Sequence, residues 1–84
     1  MRVLVVDDDE MLRDAVAMFC SLRGHQVTTA RHGQEALAAV AREMPDVILL
    51  DMKMPVMNGW DFARAFRERY DGAAAIVVVT AAPS

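Results

Sequence analysis

Four apolar residues in a row, Val47 to Leu50, end on an acid, Asp51. A run so short and uninterrupted suits a strand buried on both faces of a parallel sheet, where no alternation with polar residues is needed. Two further runs resemble it: residues 3–6, Val-Leu-Val-Val, which end on Asp7, Asp8, Asp9 and Glu10, and residues 76–79, Ile-Val-Val-Val, which end on Thr80. Between the runs, apolar residues recur at three- and four-residue steps, the mark of a helix with one buried face. Leu12, Ala15, Val16, Phe19 and Leu22 trace the first such face, from a start near Glu10 with Asp9 as N-cap to a stop at Gly24. Ala36, Leu37, Val40, Ala41 and Met44 trace a second over residues 34–44, after a turn through His32 and Gly33 and ahead of Pro45. Phe62, Ala63, Phe66 and Tyr70 trace a third over residues 60–69, broken by Asp71-Gly72. Residues 26–30, with Val27, Thr28 and Thr29, make a weaker strand that fits a sheet edge. Four strands alternating with three helices predict right-handed crossovers and a parallel α/β sheet.

Composition narrows what such a sheet can do. With 84 residues the chain makes one small domain. It buries only about 60 to 65% of its unfolded surface. Apolar residues make up 55%, yet no apolar run approaches the length of a bilayer span. Arg2 is followed by only four apolar residues before the acids begin, so no secretory signal is read and a cytoplasmic location is expected. Cys20 is the only cysteine, which excludes an internal disulfide, and its place near the apolar side of a helix predicts a small buried hydrophobe. A formal charge of −3, with Lys53 the only lysine, argues against a nucleic-acid surface.

The chemistry lies at the strand ends. If the strands ending at Val6, Leu50 and Val79 lie side by side, Asp7, Asp8, Asp51 and Thr80 gather at one edge of the sheet. Open α/β sheets bind ligands beyond the carboxyl ends of their strands. Carboxylates brought together repel one another unless a cation or a proton offsets them. A hard divalent cation with oxygen ligands answers that need. Mg²⁺ takes one or two carboxylates, keeps waters and completes its shell with phosphate oxygens, which points to phosphoryl transfer. A carboxylate can itself be the nucleophile, forming an aspartyl phosphate. Asp9 and Glu10 read as capping and dipole residues, His25 and His32 as exposed turn residues, and Met52, Met54 and Met57 as packing around the loop after Asp51. Trp60 reads as a packing residue at a helix start.

Three segments together carry a resemblance that spans the chain: Val-Leu-Val-Val-Asp-Asp at 3–8, Asp-Met-Lys-Met-Pro-Val-Met-Asn-Gly at 51–59 and Val-Val-Val-Thr-Ala at 77–81. Jointly they resemble the receiver domain of two-component response regulators. The resemblance implies a flavodoxin-like parallel sheet with flanking helices and, for the strands present, the order 2-1-3-4. It implies Asp51 as phosphoacceptor, Asp8 as a direct Mg²⁺ ligand, Asp7 as its partner through water, and the backbone carbonyl of Lys53 as a further ligand. Thr80 would be the switch hydroxyl, bonding a phosphoryl oxygen once Asp51 is modified. The donor would be a phosphohistidine on a sensor histidine kinase or phosphotransfer protein, or a small acyl phosphate. The domain would be a phosphoacceptor and not an enzyme in the ordinary sense.

A receiver has five strand and helix units, and residues 1–84 reach only just past the fourth strand. The fourth helix, fifth strand and fifth helix are expected to be lacking, with the lysine that follows the fifth strand and pairs with the phosphoryl group. Impaired phosphotransfer is the expected result. An apolar fourth strand with an open edge predicts a homodimer or swapped assembly through that edge. Two alternatives stay open. One is a dimerisation or interaction module that keeps the fold without the chemistry. The other is a fragment resembling haloacid-dehalogenase-like phosphatases, in which Asp7 of Asp7-Asp8-Asp9 would be the nucleophile, although Glu10-Met11 replaces the small hydroxyl residue expected there.

Overall fold

A computed structural model describes residues 1–51 and 57–79 of the chain. Its elements are β1 (Arg2–Val6), α1 (Glu10–Leu22), β2 (Gln26–Ala30), α2 (Gly33–Arg42), β3 (Val47–Leu50), α3 (Gly59–Tyr70) and β4 (Ala75–Val78). The four strands form one parallel sheet in the order β2-β1-β3-β4, as the resemblance implies. Val3 lies opposite both Val27 and Val47, and Val47 opposite Ala75.

The order follows from chain reversal. From β1 the chain steps outward to β2, then returns past β1 to β3 and continues to β4. Right-handed crossovers running in opposite directions must lie on opposite faces. Accordingly Cys20 of α1 packs with Val3 and Val5 on one face, whereas α2 and α3 pack on the other. The second face holds the larger core: Leu4, Val6, Ile48 and Leu50 of the sheet meet Ala36, Ala39, Val40, Phe62 and Phe66. Phe62, Phe66 and Tyr70 continue it as a ladder of rings, with centroids 6.0 and 5.3 Å apart. β1 and β3 are the central strands, which is why their sequences are apolar without alternation.

α1 departs from its predicted face. Ala15, Phe19 and Leu22 are exposed, Leu22 by 81%; of the predicted face Leu12 and Val16 are half-buried, and Arg13, Ala17 and Cys20 complete the covered side. Apolar residues occur around most of α1, so periodicity alone admits more than one face. The face taken is the one that packs Cys20 against Val3 and Val5, with Val16 beside it. Arg23 covers the ring of exposed Phe19, its guanidinium carbon 4.9 Å from the centroid.

The helix stops are chemically plain. Gly24 takes a φ of +87°, and the N–H groups of Gly24 and His25 close back on the carbonyls of Ser21 and Cys20. α2 ends at Arg42, two residues before the expected Met44, because Glu43 is already extended. No helix among the described residues is long and apolar enough to cross a membrane.

Candidate functional site

The reversal between β1 and β3 opens a crevice at the carboxyl edge of the sheet, because the chain leaves these adjacent strands in opposite directions. Asp7 and Asp8 leave β1 on one side of it, and Asp51 leaves β3 on the other. Asp51 N–H donates to Val6 O at 2.9 Å and ties the two strand ends together, while Asp7 N–H donates to Ala30 O at the end of β2, at 3.1 Å. Asp7, Asp8 and Asp51 each bring a carboxylate oxygen to within 4.8 Å of the others. Asp7 is buried, Asp51 half-buried and Asp8 exposed, so the cluster is open to solvent on one side.

Asp9 takes no part in this cluster. Its Oδ1 accepts from Leu12 N–H at 3.1 Å and caps α1, the role its position predicts, while its own N–H donates to Asp7 Oδ1 at 2.9 Å. Burial, and then the charges of Asp51, Asp8 and Asp9, hold the Asp7 carboxyl above the ordinary aspartate range, against the bond from Asp9 N–H. An all-oxygen donor set of three carboxylates, one buried and two reachable from solvent, fits a hard divalent cation such as Mg²⁺.

Helix N-termini surround the crevice, because in a parallel α/β sheet every helix starts at the strands' carboxyl edge. Asp9, His32 and Asn58 cap the three, each accepting from a backbone N–H of the first turn. The caps leave a positive backbone field at this edge, favourable to an anion. His32 is thus engaged, where the sequence reads as an exposed turn residue; its Nδ1 accepts from Glu35 N–H at 3.3 Å. Arg31 and Glu35 close the same corner through a 2.6 Å ion pair that lowers the Glu35 pKa to about 2.

Lys53 and Thr80, expected as metal carbonyl and switch hydroxyl, lie outside the described residues. So do Met52 and Met54. Met57 packs against the larger core, as read from its type, but its partner was not legible. Gly33 N–H donates to Met57 O at 3.2 Å, and a β-carbon on Gly33 would stand 2.6 Å from Met57 Cγ. The far end of the loop after Asp51 is thereby seated on the first residue of α2. Trp60, expected to pack, is instead 67% exposed. Arg13 is the other residue that sequence reasoning passed over: it is buried, and its Nη1 donates to Asp7 O at 3.1 Å. The available signal was a cation interrupting an otherwise apolar face, five residues past Asp8.

Comparison with known proteins gives a consistent picture. The profile of the response regulator receiver domain matches residues 3–84. Response regulator MprA of Mycobacterium leprae is 40% identical over 84 residues, which is all of this chain and 36% of that protein. The probable transcriptional regulatory protein TcrX of Mycobacterium tuberculosis is 41% identical over 70 residues, 83% of this chain and 30% of its own. The chain thus spans about a third of the length of the curated relatives it matches. Among solved structures, Vibrio cholerae chemotaxis protein CheY4 superposes with a TM-score of 0.91 at 37% identity, covering 99% of this chain and 70% of that one. Thermotoga maritima response regulator TrrA, solved in complex with Mg²⁺-BeF, gives a TM-score of 0.89 at 32% identity, covering 96% and 70%.

Proposed function

This chain belongs to the response regulator receiver domain family, and from that premise we propose that Asp51 accepts a phosphoryl group from a phosphohistidine of a sensor histidine kinase or phosphotransfer protein. The observation that carries the reading is the meeting of Asp51 with Asp7 and Asp8 across the β1–β3 crevice. In the reaction a carboxylate oxygen of Asp51 attacks phosphorus as the P–N bond to imidazole breaks. The bonding pair leaves on the nitrogen, and the product is an aspartyl phosphate. Asp7, Asp8 and Asp51, with the carbonyl of Lys53, would hold Mg²⁺, and Thr80 would bond the phosphoryl group once it is in place. When bound, the ion supplies positive charge against the transferring phosphoryl group. Asp7, whose Oδ1 accepts from Asp9 N–H, would lend its carboxylate to the ion.

The domain is regulatory, not an enzyme of the ordinary kind. Membership of the receiver family also sets aside the haloacid-dehalogenase-like reading of Asp7. We place the domain in the cytoplasm beside its kinase. The output of a whole regulator, contact with nucleic acid included, is assigned to the part of such proteins that this chain does not match.

Long incubation with acetyl phosphate and Mg²⁺, read by intact mass, tests the acceptor. Wild type should gain one phosphoryl group and Asp51→Asn none. Labelling that survives Asp51→Asn and vanishes in Asp7→Asn would overturn the assignment.

A second reading rests on β4. Val77 and Val78 are about half exposed, and among the described residues β4 is bonded only to β3. We propose that this 84-residue chain self-associates through that edge. An interaction module without chemistry would keep this association and lose the labelling.

A further inference from the structure

Arg13 and Asp7 are the buried charged residues among those described, and nothing in the proposed chemistry uses Arg13. Its setting is unusual for a guanidinium. Its ion pair among the described residues is with Glu10, 3.9 Å away on a largely exposed side chain, a weak partner for a buried cation. Its short contact is with the main chain, where Nη1 donates to Asp7 O at 3.1 Å in a buried bond. Helical side chains lean toward the N-terminus of their helix, so Arg13, in the first turns of α1, reaches back naturally to the end of β1.

The bonded oxygen is the one that matters for the acids. Asp7 O belongs to the peptide joining Asp7 to Asp8, and a peptide group is a rigid plane. Anchoring its oxygen sets the direction in which the chain departs toward Asp8. The other side of Asp7 is already held, since its N–H donates to Ala30 O and its Oδ1 accepts from Asp9 N–H. With Arg13 removed, a buried carbonyl would lose its partner and the Asp7–Asp8 peptide would be free to turn.

We propose that Arg13 is a positioning residue that fixes the Asp7–Asp8 peptide so that both carboxylates face Asp51. The part of this that concerns metal affinity rests on the Mg²⁺ reading given above. Arg13 touches neither metal nor phosphoryl group; it acts through the carbonyl. Two variants separate this role from simple packing. Arg13→Met keeps an unbranched stem of similar volume and removes every donor, whereas Arg13→Lys keeps a cation able to donate to the same oxygen.

Three measurements on the full chain are needed: Mg²⁺ affinity by titration calorimetry, amide exchange of Asp9 by NMR in EDTA, and melting in EDTA. Arg13→Met should weaken Mg²⁺ roughly tenfold, the usual penalty for losing a partner behind a metal ligand. It should also speed exchange of the Asp9 amide, whose acceptor is Asp7 Oδ1. Arg13→Lys should recover most of both. Wild-type affinity and wild-type Asp9 exchange in Arg13→Met would overturn the proposal, whatever happens to the melting temperature. So would an Arg13→Lys variant that melts like wild type yet matches Arg13→Met in both other readouts. A wild-type chain that takes up no Mg²⁺ would sink the metal reading instead, and Asp9 exchange alone would then decide Arg13. Should Arg13→Met not fold, Arg13→Leu, equally without a donor, takes its place in the same comparison with Arg13→Lys and wild type.

Discussion

At the scale of the residue, the site is built around one carboxylate held under protest. Asp7 is buried and has Asp8 and Asp51 as neighbours, and its pKa is raised above the ordinary 3.8 by that burial and those charges. The folded chain therefore binds more protons than the unfolded chain between 3.8 and the raised value. The stability that Asp7 contributes is fully present below 3.8 and is lost as pH rises through the folded pKa. Above the folded pKa the ionised group is a destabilising one. Asp7→Asn, which can still accept from Asp9 N–H, should accordingly raise the melting temperature in EDTA by a few degrees at pH 7 while weakening Mg²⁺ binding. The gap between variant and wild type should close as pH falls toward 4, in melts recorded across that range. A lower melting temperature for Asp7→Asn at pH 7 would show that Asp7 is not strained. Residue types alone showed that acids stand here; which of them is buried came from the fold.

At the scale of the element, the site depends on where the loop after Asp51 is tied down. α2 begins on Gly33 because the chain bearing Met57 lies where a β-carbon would be, 2.6 Å from Met57 Cγ and 2.8 Å from Met57 Cβ. The close approach, more than any turn, explains the glycine. Gly33→Ala should cost about 1 to 2 kcal/mol in urea unfolding, overpacking offset in part by alanine's better helix propensity. Met57→Ala should relieve the part of that clash made by Cγ and leave the part made by Cβ, so the double variant should lose somewhat less than the sum of the two. Strict additivity would mean that Met57 moves aside freely and the latch has no energetic content. From sequence, His32-Gly33 reads as a turn, because the residue that excludes a side chain at Gly33 is 24 positions away.

At the scale of the whole molecule, the two faces of the sheet are unequally covered. α2 and α3 bury the large core, while α1 alone lies over Val3 and Val5 and leaves Leu49 and Val47 only partly covered. On the other side of β4, a groove of about 410 Å³ runs between Trp60, Ala63, Arg64 and Arg67 of α3 and Ile76 and Val78. The exposed valines of β4 beside this groove favour association. Sedimentation at rising concentration should show a dimer, and replacing Val77 with Lys, at the exposed edge strand, should shift it toward monomer. A species that stays monomeric at high concentration would remove the self-association reading and leave the phosphoacceptor untouched.

Much of this protein is determined by the sequence alone, because its strongest signals are local. Runs such as Val47 to Leu50, the caps Asp9 and Gly24, and the helical spacing of Phe62 and Phe66 act within one element. They are enough to place strands, helices and the acids at strand ends. Tertiary structure decided what depends on groups distant in the chain. It chose the face of α1, where apolar residues spread around much of the helix. It joined Gly33 to Met57, and it made Arg13 a buried donor behind Asp7. Above all it brought Asp51 across to Asp7 and Asp8. Separate strand ends become one acidic site only when a reversing, right-handed chain lays β3 beside β1.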